Sequence, residues 1–441
     1  HERRIFMKYY FIGIKGAGMS ALALILNDLG YEVIGYDDEK EHQFTEDKLE
    51  ARNIKIYTDN SYKLDENTVV VRSTAIKEGH IELEKANALD LKIYEYNEML
   101  GKIANMFDLI TVAGCHGKTT TTSLIAHVLN NIGGCNYLIG DGNGFASKEI
   151  RRFVIEACEY CRHFLVYKPN YAIITNIELD HVDYFKDMQD VIDAYSEYAN
   201  NCEKMVIACG DDPYTHLLDI NKPIFYYGIA DDNDIIAKDV EYTKDGVSFD
   251  VFVEDNYYGH FDLPFYGKHM VLNSLAVIGM CYYERIDAKE LCKNMKTFKG
   301  AERRFEETVI DDTILVDDYA HHPTEVKALI KGVRQKYPDK KIVAVFQPHT
   351  FSRTEEFTED LAEVLNLADK SYILDIFPAR EKQEDFPDVK SENIVKLLNN
   401  GNKISNDTWE LLKEDKGSVI LFMSPKQIHT IMEKYKEYLE N

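Results

Sequence analysis

Basic residues are in short supply in this sequence. It has 51 lysines and arginines against 76 aspartates and glutamates, a formal charge of −25. Such a surface repels nucleic acid and anionic membranes at long range, so neither is expected as a partner. A small anionic substrate stays possible, held locally by glycine loops and arginines. No apolar stretch is long enough to span a bilayer, and no signal-peptide pattern opens the chain. Internal repeats and low-complexity segments are also missing. The eight cysteines are scattered, without the dense framework of a disulfide-stapled fold, and point to reduced thiols and the cytoplasm. Cys158 and Cys161 make a C-x-x-C, but no second pair completes a zinc pattern, so free thiols are expected. His1 to Phe6 precede Met7 and read as foreign residues ahead of a native start.

What is present is organised around Ala113-Gly114-Cys115-His116-Gly117-Lys118-Thr119-Thr120. The apolar run Leu109-Ile110-Thr111-Val112 before it reads as a short buried strand. After it, Leu124, Ile125, Val128 and Leu129 fall at helical spacing over Thr121 to Leu129. Strand, glycine loop with Gly-Lys-Thr, then helix is an arrangement that cradles a nucleotide triphosphate. The glycines let backbone N–H groups turn toward phosphate oxygens, and the helix N-terminus adds partial positive charge. Lys118 can reach the β/γ-phosphates, and the Thr119 hydroxyl can ligate Mg²⁺. The loop has two residues rather than four between its glycines, shorter than the standard pattern.

At 441 residues, two or three domains are expected. The first opens with strand Tyr9 to Ile12, the turn Gly13-Ile14-Lys15-Gly16-Ala17-Gly18-Met19-Ser20, a helix through Leu29, and a second strand ending at Asp37. This is a βαβ unit with an acid about twenty residues past its glycine turn, close to a dinucleotide fingerprint without matching it. A nicotinamide-dependent oxidoreductase would rest on this loop alone. Thr68 to Val71 is a buried strand, with Ser73-Thr74-Ala75-Ile76 at its carboxyl end, the edge where ligands sit in parallel sheets.

The second unit adds strands at Phe153 to Ile155, Tyr171 to Ile174 and Met205 to Ala208. Glu156 and Glu159 follow one strand, and Asn176, Glu178, Asp180 and His181 another. Strand ends of one parallel sheet converge, so Glu156 and His181 are candidates to complete the Mg²⁺ site begun by Thr119. Asp231 to Gly259 reads as a small antiparallel insertion. A third unit has strands at Thr313 to Val316, Ile342 to Phe346, Ser371 to Leu374 and Ser418 to Met423, each followed by helix-pattern sequence.

Eight stretches in order resemble the Mur ligases, ATP-dependent amide-forming enzymes of peptidoglycan synthesis. They are residues 13–20, Gly-Cys-His-Gly-Lys-Thr-Thr-Thr (114–121), Glu-Ala-Cys-Glu (156–159) and Thr-Asn-Ile-Glu-Leu-Asp-His (175–181). His269 with Asn273, Glu-Arg-Arg-Phe-Glu (302–306), Asp-Asp-Tyr-Ala-His-His-Pro-Thr-Glu (317–325) and Phe-Gln-Pro-His-Thr-Phe-Ser-Arg-Thr (346–354) follow. The resemblance implies an α/β protein of three domains. A Rossmann-like N-terminal domain (1–107) would bind the UDP-sugar, and a central P-loop ATPase-like domain with a parallel sheet (108–301) would bind ATP and Mg²⁺. A C-terminal Rossmann-like α/β domain (302–441) would bring the amino acid.

By the same resemblance, Gly16, Ala17, Gly18, Met19, Ser20, Asp37, Ser73, Thr74, Ala75 and Ile76 would contact UDP-N-acetylmuramate. Gly114, Cys115, His116, Gly117, Lys118, Thr119 and Thr120 would hold the ATP phosphates. His269 and Asn273 would lie toward adenine, Arg304 toward the phosphates, and Asp317 or Asp318 toward the ribose. Thr119, Glu156 and His181 would bind Mg²⁺, or Mn²⁺ in its place. Tyr319, His321, His349 and Arg353 would frame L-alanine, with Arg353 on its carboxylate and His321 as a candidate proton acceptor.

The 317–325 and 303–306 motifs resemble the alanine-adding branch, which joins L-alanine to the lactyl carboxylate through an acyl phosphate. A recycling ligase that attaches a murein tripeptide, and a binding protein that has lost turnover, are the alternatives. Hinge closure is expected, and either a monomer or a homodimer. The sequence departs from the family at Ser424-Pro425-Lys426-Gln427-Ile428, where a glycine-containing turn is usual, and at Cys115, Met270 and Thr350.

Overall fold

A computed structural model describes residues 7–379, 381–425 and 428–441. The six residues ahead of Met7, Arg380, and Lys426-Gln427 of the unusual turn lie outside the described residues. The chain forms two compact units, one of residues up to Ile177 with Val191–Tyr227, the other of Glu178–Asp190 with Gly228–Asn441.

The first unit contains a five-stranded parallel sheet ordered Lys55–Tyr57, Glu32–Tyr36, Lys8–Ile12, Thr68–Arg72, Ile93–Glu95. Its register aligns Ile12 with both Tyr36 and Arg72. Gly13, Asp37 and Ser73 therefore leave the sheet at one edge. Tyr10, Ile12, Ile34 and Val70 pack on Leu83 and Ala86, which buries one face of the sheet. The same unit holds parallel strands ordered Ile224–Gly228, Met205–Cys209, Tyr171–Ile174, Asp108–Ala113, Arg152–Glu156 and Asn136–Ile139, with Asn143–Phe145 antiparallel at the end. Helix Ala17–Asp28 approaches Asn143–Phe145 so closely that a Cβ on Gly144 would stand 2.3 Å from the Ala21 carbonyl oxygen.

In the second unit, Ile235–Thr243, Gly246–Val253 and Asn256–Leu263 form an antiparallel meander, as the alternating sequence predicts. A six-stranded sheet follows in the order Glu306–Ile310, Thr313–Asp318, Val419–Met423, Ile342–Phe346, Lys370–Ile373, Gly401–Lys403, antiparallel only at its first pair. Successive side chains point to opposite faces, so Val316, Ala344, Phe346 and Leu421 enter one core and Leu315, Val343, Val345 and Phe422 the other. Gln335 joins the two sheets: it accepts the Gly267 N–H at 2.7 Å and donates to the carbonyls of Thr243 and Gly246 at 2.8 and 2.9 Å.

The predicted buried strands are present. Three of the strands that sequence reading missed, Ile93–Glu95, Glu306–Ile310 and Gly401–Lys403, are three to five residues long and half-exposed. They lack the apolar run or alternation that marks a strand.

Candidate active site

Within each unit, strand ends carry candidate residues. In the first unit, Gly13 donates its N–H to the Tyr36 carbonyl at 2.8 Å, and Ser73 donates to Ile12 at 3.0 Å. The Asp37 carboxylate accepts the N–H groups of Lys15 and Glu39 at 2.8 and 3.0 Å, so it shapes the glycine turn from inside. Gly16 precedes helix Ala17–Asp28 with no side-chain cap and no acid in its first turn. The orphan N–H groups there suit a diphosphate. The structure thus gathers the 13–20 turn, Asp37 and Ser73-Ile76 at one edge.

The phosphate loop is built the same way. Helix Lys118–Asn131 starts three residues earlier than its apolar periodicity indicates, because Gly117 takes φ +80 at the N-cap, again without a side-chain cap. Asn176 clasps the loop, accepting the His116 N–H and donating to the His116 carbonyl, both at 2.9 Å. Thr175 Oγ1 donates to the same carbonyl at 2.6 Å.

Lys118 Nζ pairs with the buried Glu159 at 2.9 Å. Burial works against the lysine charge, but Glu159 and its neighbours outweigh it and raise the pKa. The sequence motif contains Glu159 without indicating what it does; only the fold shows it as the partner of Lys118.

Thr119 Oγ1 donates to Glu156 Oε2 at 2.9 Å, and the Gly140 N–H donates to the same oxygen at 3.0 Å. A hydroxyl and a carboxylate are the hard oxygen donors that Mg²⁺ takes, so these residues fit the ion. Cys158 and Cys161 are not joined in a disulfide.

In the second unit, Asp318 aligns with Met423 and Phe346 with Met423, which sets Tyr319, Gln347 and Ser424 at one edge. The Tyr319 and His321 rings meet edge to face at 5.7 Å, as do His321 and His349. The Arg304 guanidinium lies 5.2 Å from the Tyr319 ring centre. Arg353 Nη1 is 3.2 Å from His349 Nδ1, and its Nη2 donates to Asp180 at 2.8 Å. Tyr319, His321, His349 and Arg353 therefore stand together.

His322 is different: it caps helix Pro323–Lys336 by accepting the Thr324 N–H at 3.3 Å, a structural use. Asp318 is buried and accepts from the N–H groups of Phe305 and Ala320, and burial pushes its carboxyl up. Asp317 pairs with Arg303. A ribose contact would have to compete with these bonds. His269 and Asn273 share one face of helix Lys268–Tyr283, four residues apart. His181 belongs to this unit as well.

Ser424 and Pro425, which open the unusual turn, are held by bonds that sequence reading did not foresee. Arg303 donates to the carbonyls of Ser424 and Pro425 at 2.6 and 3.3 Å, and Ser424 Oγ donates to Gln347 at 3.0 Å.

Family profiles match three consecutive stretches. Residues 8–108 match the catalytic domain of the Mur ligase family, 112–281 the Mur ligase middle domain, and 303–424 the Mur ligase glutamate ligase domain. The chain belongs to the Mur ligase family. It has the three-domain α/β fold of these ATP-dependent amide ligases. Among solved structures it is similar to the UDP-N-acetylmuramate-alanine ligase of Thermotoga maritima, at 25% identity and TM-score 0.82, over 98% of this chain and 99% of that one. It is also similar to a murein peptide ligase of Psychrobacter arcticus, at 23% identity and TM-score 0.73, covering 99% of each chain. A MurF ligase of T. maritima in complex with ADP matches at 16% identity and TM-score 0.64, covering 99% of each chain. These last two likenesses concern the fold. No helix among the described residues is long and apolar enough to cross a membrane.

Proposed function

We propose that this Mur ligase uses ATP to join L-alanine to the lactyl carboxylate of UDP-N-acetylmuramate, releasing ADP and phosphate. The observation that carries the reading is the grouping of Tyr319, His321, His349 and Arg353 at one strand edge, a cluster of aromatic, imidazole and guanidinium groups suited to a small amino acid. Similarity over nearly the full length to an alanine ligase supports it. We assign the UDP-sugar to 1–107, ATP to 108–301 and the amino acid to 302–441.

In this reading Lys118 and Arg304 hold the phosphates while the lactyl carboxylate attacks the γ-phosphorus, giving an acyl phosphate and ADP. Mg²⁺ held by Thr119 and Glu156, with His181 for a second ion, would supply charge that offsets an anion approaching a polyphosphate. Alanine's amine then attacks the acyl carbon and phosphate leaves. The amine must first lose a proton. His321 Nδ1 lies 3.1 Å from the Tyr319 carbonyl and 3.2 Å from Glu325, two acceptors that place its hydrogen on Nδ1. Nε2 then keeps a lone pair and serves as the proton acceptor.

The test is phosphate release from ATP with Mg²⁺ and UDP-N-acetylmuramate, with and without L-alanine. Release should require both substrates and fall by about a hundredfold or more in Lys118→Ala. Turnover with a murein tripeptide but not alanine would assign the recycling reaction instead. Binding of the UDP-sugar without any turnover would leave only a binding protein.

A further inference from the structure

The segment Glu178–Asp190 packs in one unit with the C-terminal sheet. Within it, Asp180 is 8% exposed, and one of its oxygens has two partners. Oδ1 accepts from Arg353 Nη2 at 2.8 Å and from the N–H of the next residue, His181, at 2.7 Å. His181 stands at φ +50, a left-handed conformation that a residue with a side chain adopts at a cost. Its neighbours must therefore hold it there. The Asp180 carboxylate ties its N–H, and its carbonyl accepts the N–H groups of Tyr184 and Phe185 at 2.8 and 3.0 Å.

Arg353 is fixed with equal care. Nη2 is on Asp180 and Nη1 faces His349, while the buried Nε has no hydrogen-bond partner. Burial works against the Asp180 charge, but the Arg353 guanidinium beside it holds its carboxyl far below the usual range. The start of the segment has its own anchor: Glu178 accepts from Thr324 Oγ1 at 2.9 Å. Loss of Asp180 would thus leave the segment attached.

We propose that Asp180 is a positioning residue that sets the proposed metal ligand His181 and the proposed amino-acid ligand Arg353 with one carboxylate, so that the metal and amino-acid requirements are coupled. This rests on the ligase reading above. Asp180→Ala removes both bonds. Asp180→Asn keeps an oxygen for the His181 N–H and loses only the charge opposite Arg353.

The experiment titrates L-alanine, Mg²⁺ and UDP-N-acetylmuramate in the full chain and both variants, and follows the thermal shift produced by ADP across Mg²⁺ concentrations. Asp180→Ala should raise the KM for alanine and the half-saturating Mg²⁺ by about tenfold or more, and should move the Mg²⁺ dependence of the ADP shift in step. Asp180→Asn should raise the alanine KM alone. Neither should change the KM for the UDP-sugar. Unchanged constants in Asp180→Ala, or a parallel loss of all three with a lower Tm, would overturn the proposal. If Asp180→Ala does not fold, an unchanged alanine KM in Asp180→Asn does so. Wild-type protein without alanine-dependent ADP release would fail the ligase reading instead, and the Mg²⁺ dependence of the ADP shift would still judge the His181 link.

Discussion

His269 sits in the first turn of helix Lys268–Tyr283, where burial lowers its pKa to about 4. The positive end of the helix opposes a proton in the same sense. The folded chain therefore holds the imidazole neutral, while the unfolded chain titrates near the ordinary value of 6.5. Stability from this group is complete above pH 6.5 and falls as the pH drops toward 4, because the unfolded state takes up a proton that the folded state refuses. Between pH 7 and 5 the loss should be on the order of 1–2 kcal/mol. Urea midpoints at the two pH values check it, and His269→Gln should flatten the difference. A sequence alone places His269 on a helix, but how far the fold shields it from water is decided by packing.

The phosphate loop shows how much an element owes to two glycines. Gly114 has φ +139, and a Cβ there would stand 2.0 Å from Thr175 Oγ1. Gly117 turns the chain into the helix at φ +80. Gly114→Ala meets both a disfavoured backbone and a collision with the side chain that braces the loop through the His116 carbonyl. It should raise the KM for ATP at least about tenfold and destabilise the fold by about 1–3 kcal/mol, read from saturation kinetics and thermal unfolding.

The glycines, the lysine and the threonine of this element were legible in the sequence, because a strand–loop–helix that binds phosphate tolerates few substitutes. The bracing by Thr175 and Asn176 was not. They lie about sixty residues on and reach the loop only because Ala113 and Ile174 are in register.

For the whole molecule, the oxygen donors Thr119 and Glu156 predict dependence on a hard divalent cation. In the proposed reaction, treatment with EDTA should abolish phosphate release, and Mg²⁺ or Mn²⁺ should restore it while Ca²⁺, larger and loosely coordinated, restores less. A rate unaffected by chelation would remove the metal from the reading.

By itself the sequence determined the α/β class, the two glycine loops and the set of strand ends that carry polar side chains. Strand propensity, glycine chemistry and helix periodicity are local, so a run of four to six residues declares them. Tertiary structure alone decided which of those side chains meet. Lys118 pairs with Glu159 across 41 residues, Arg303 holds Ser424 across 121, and Arg353 finds Asp180 across 173. A charge specifies only that it needs a partner when buried; sheet order and register determine which one stands within reach.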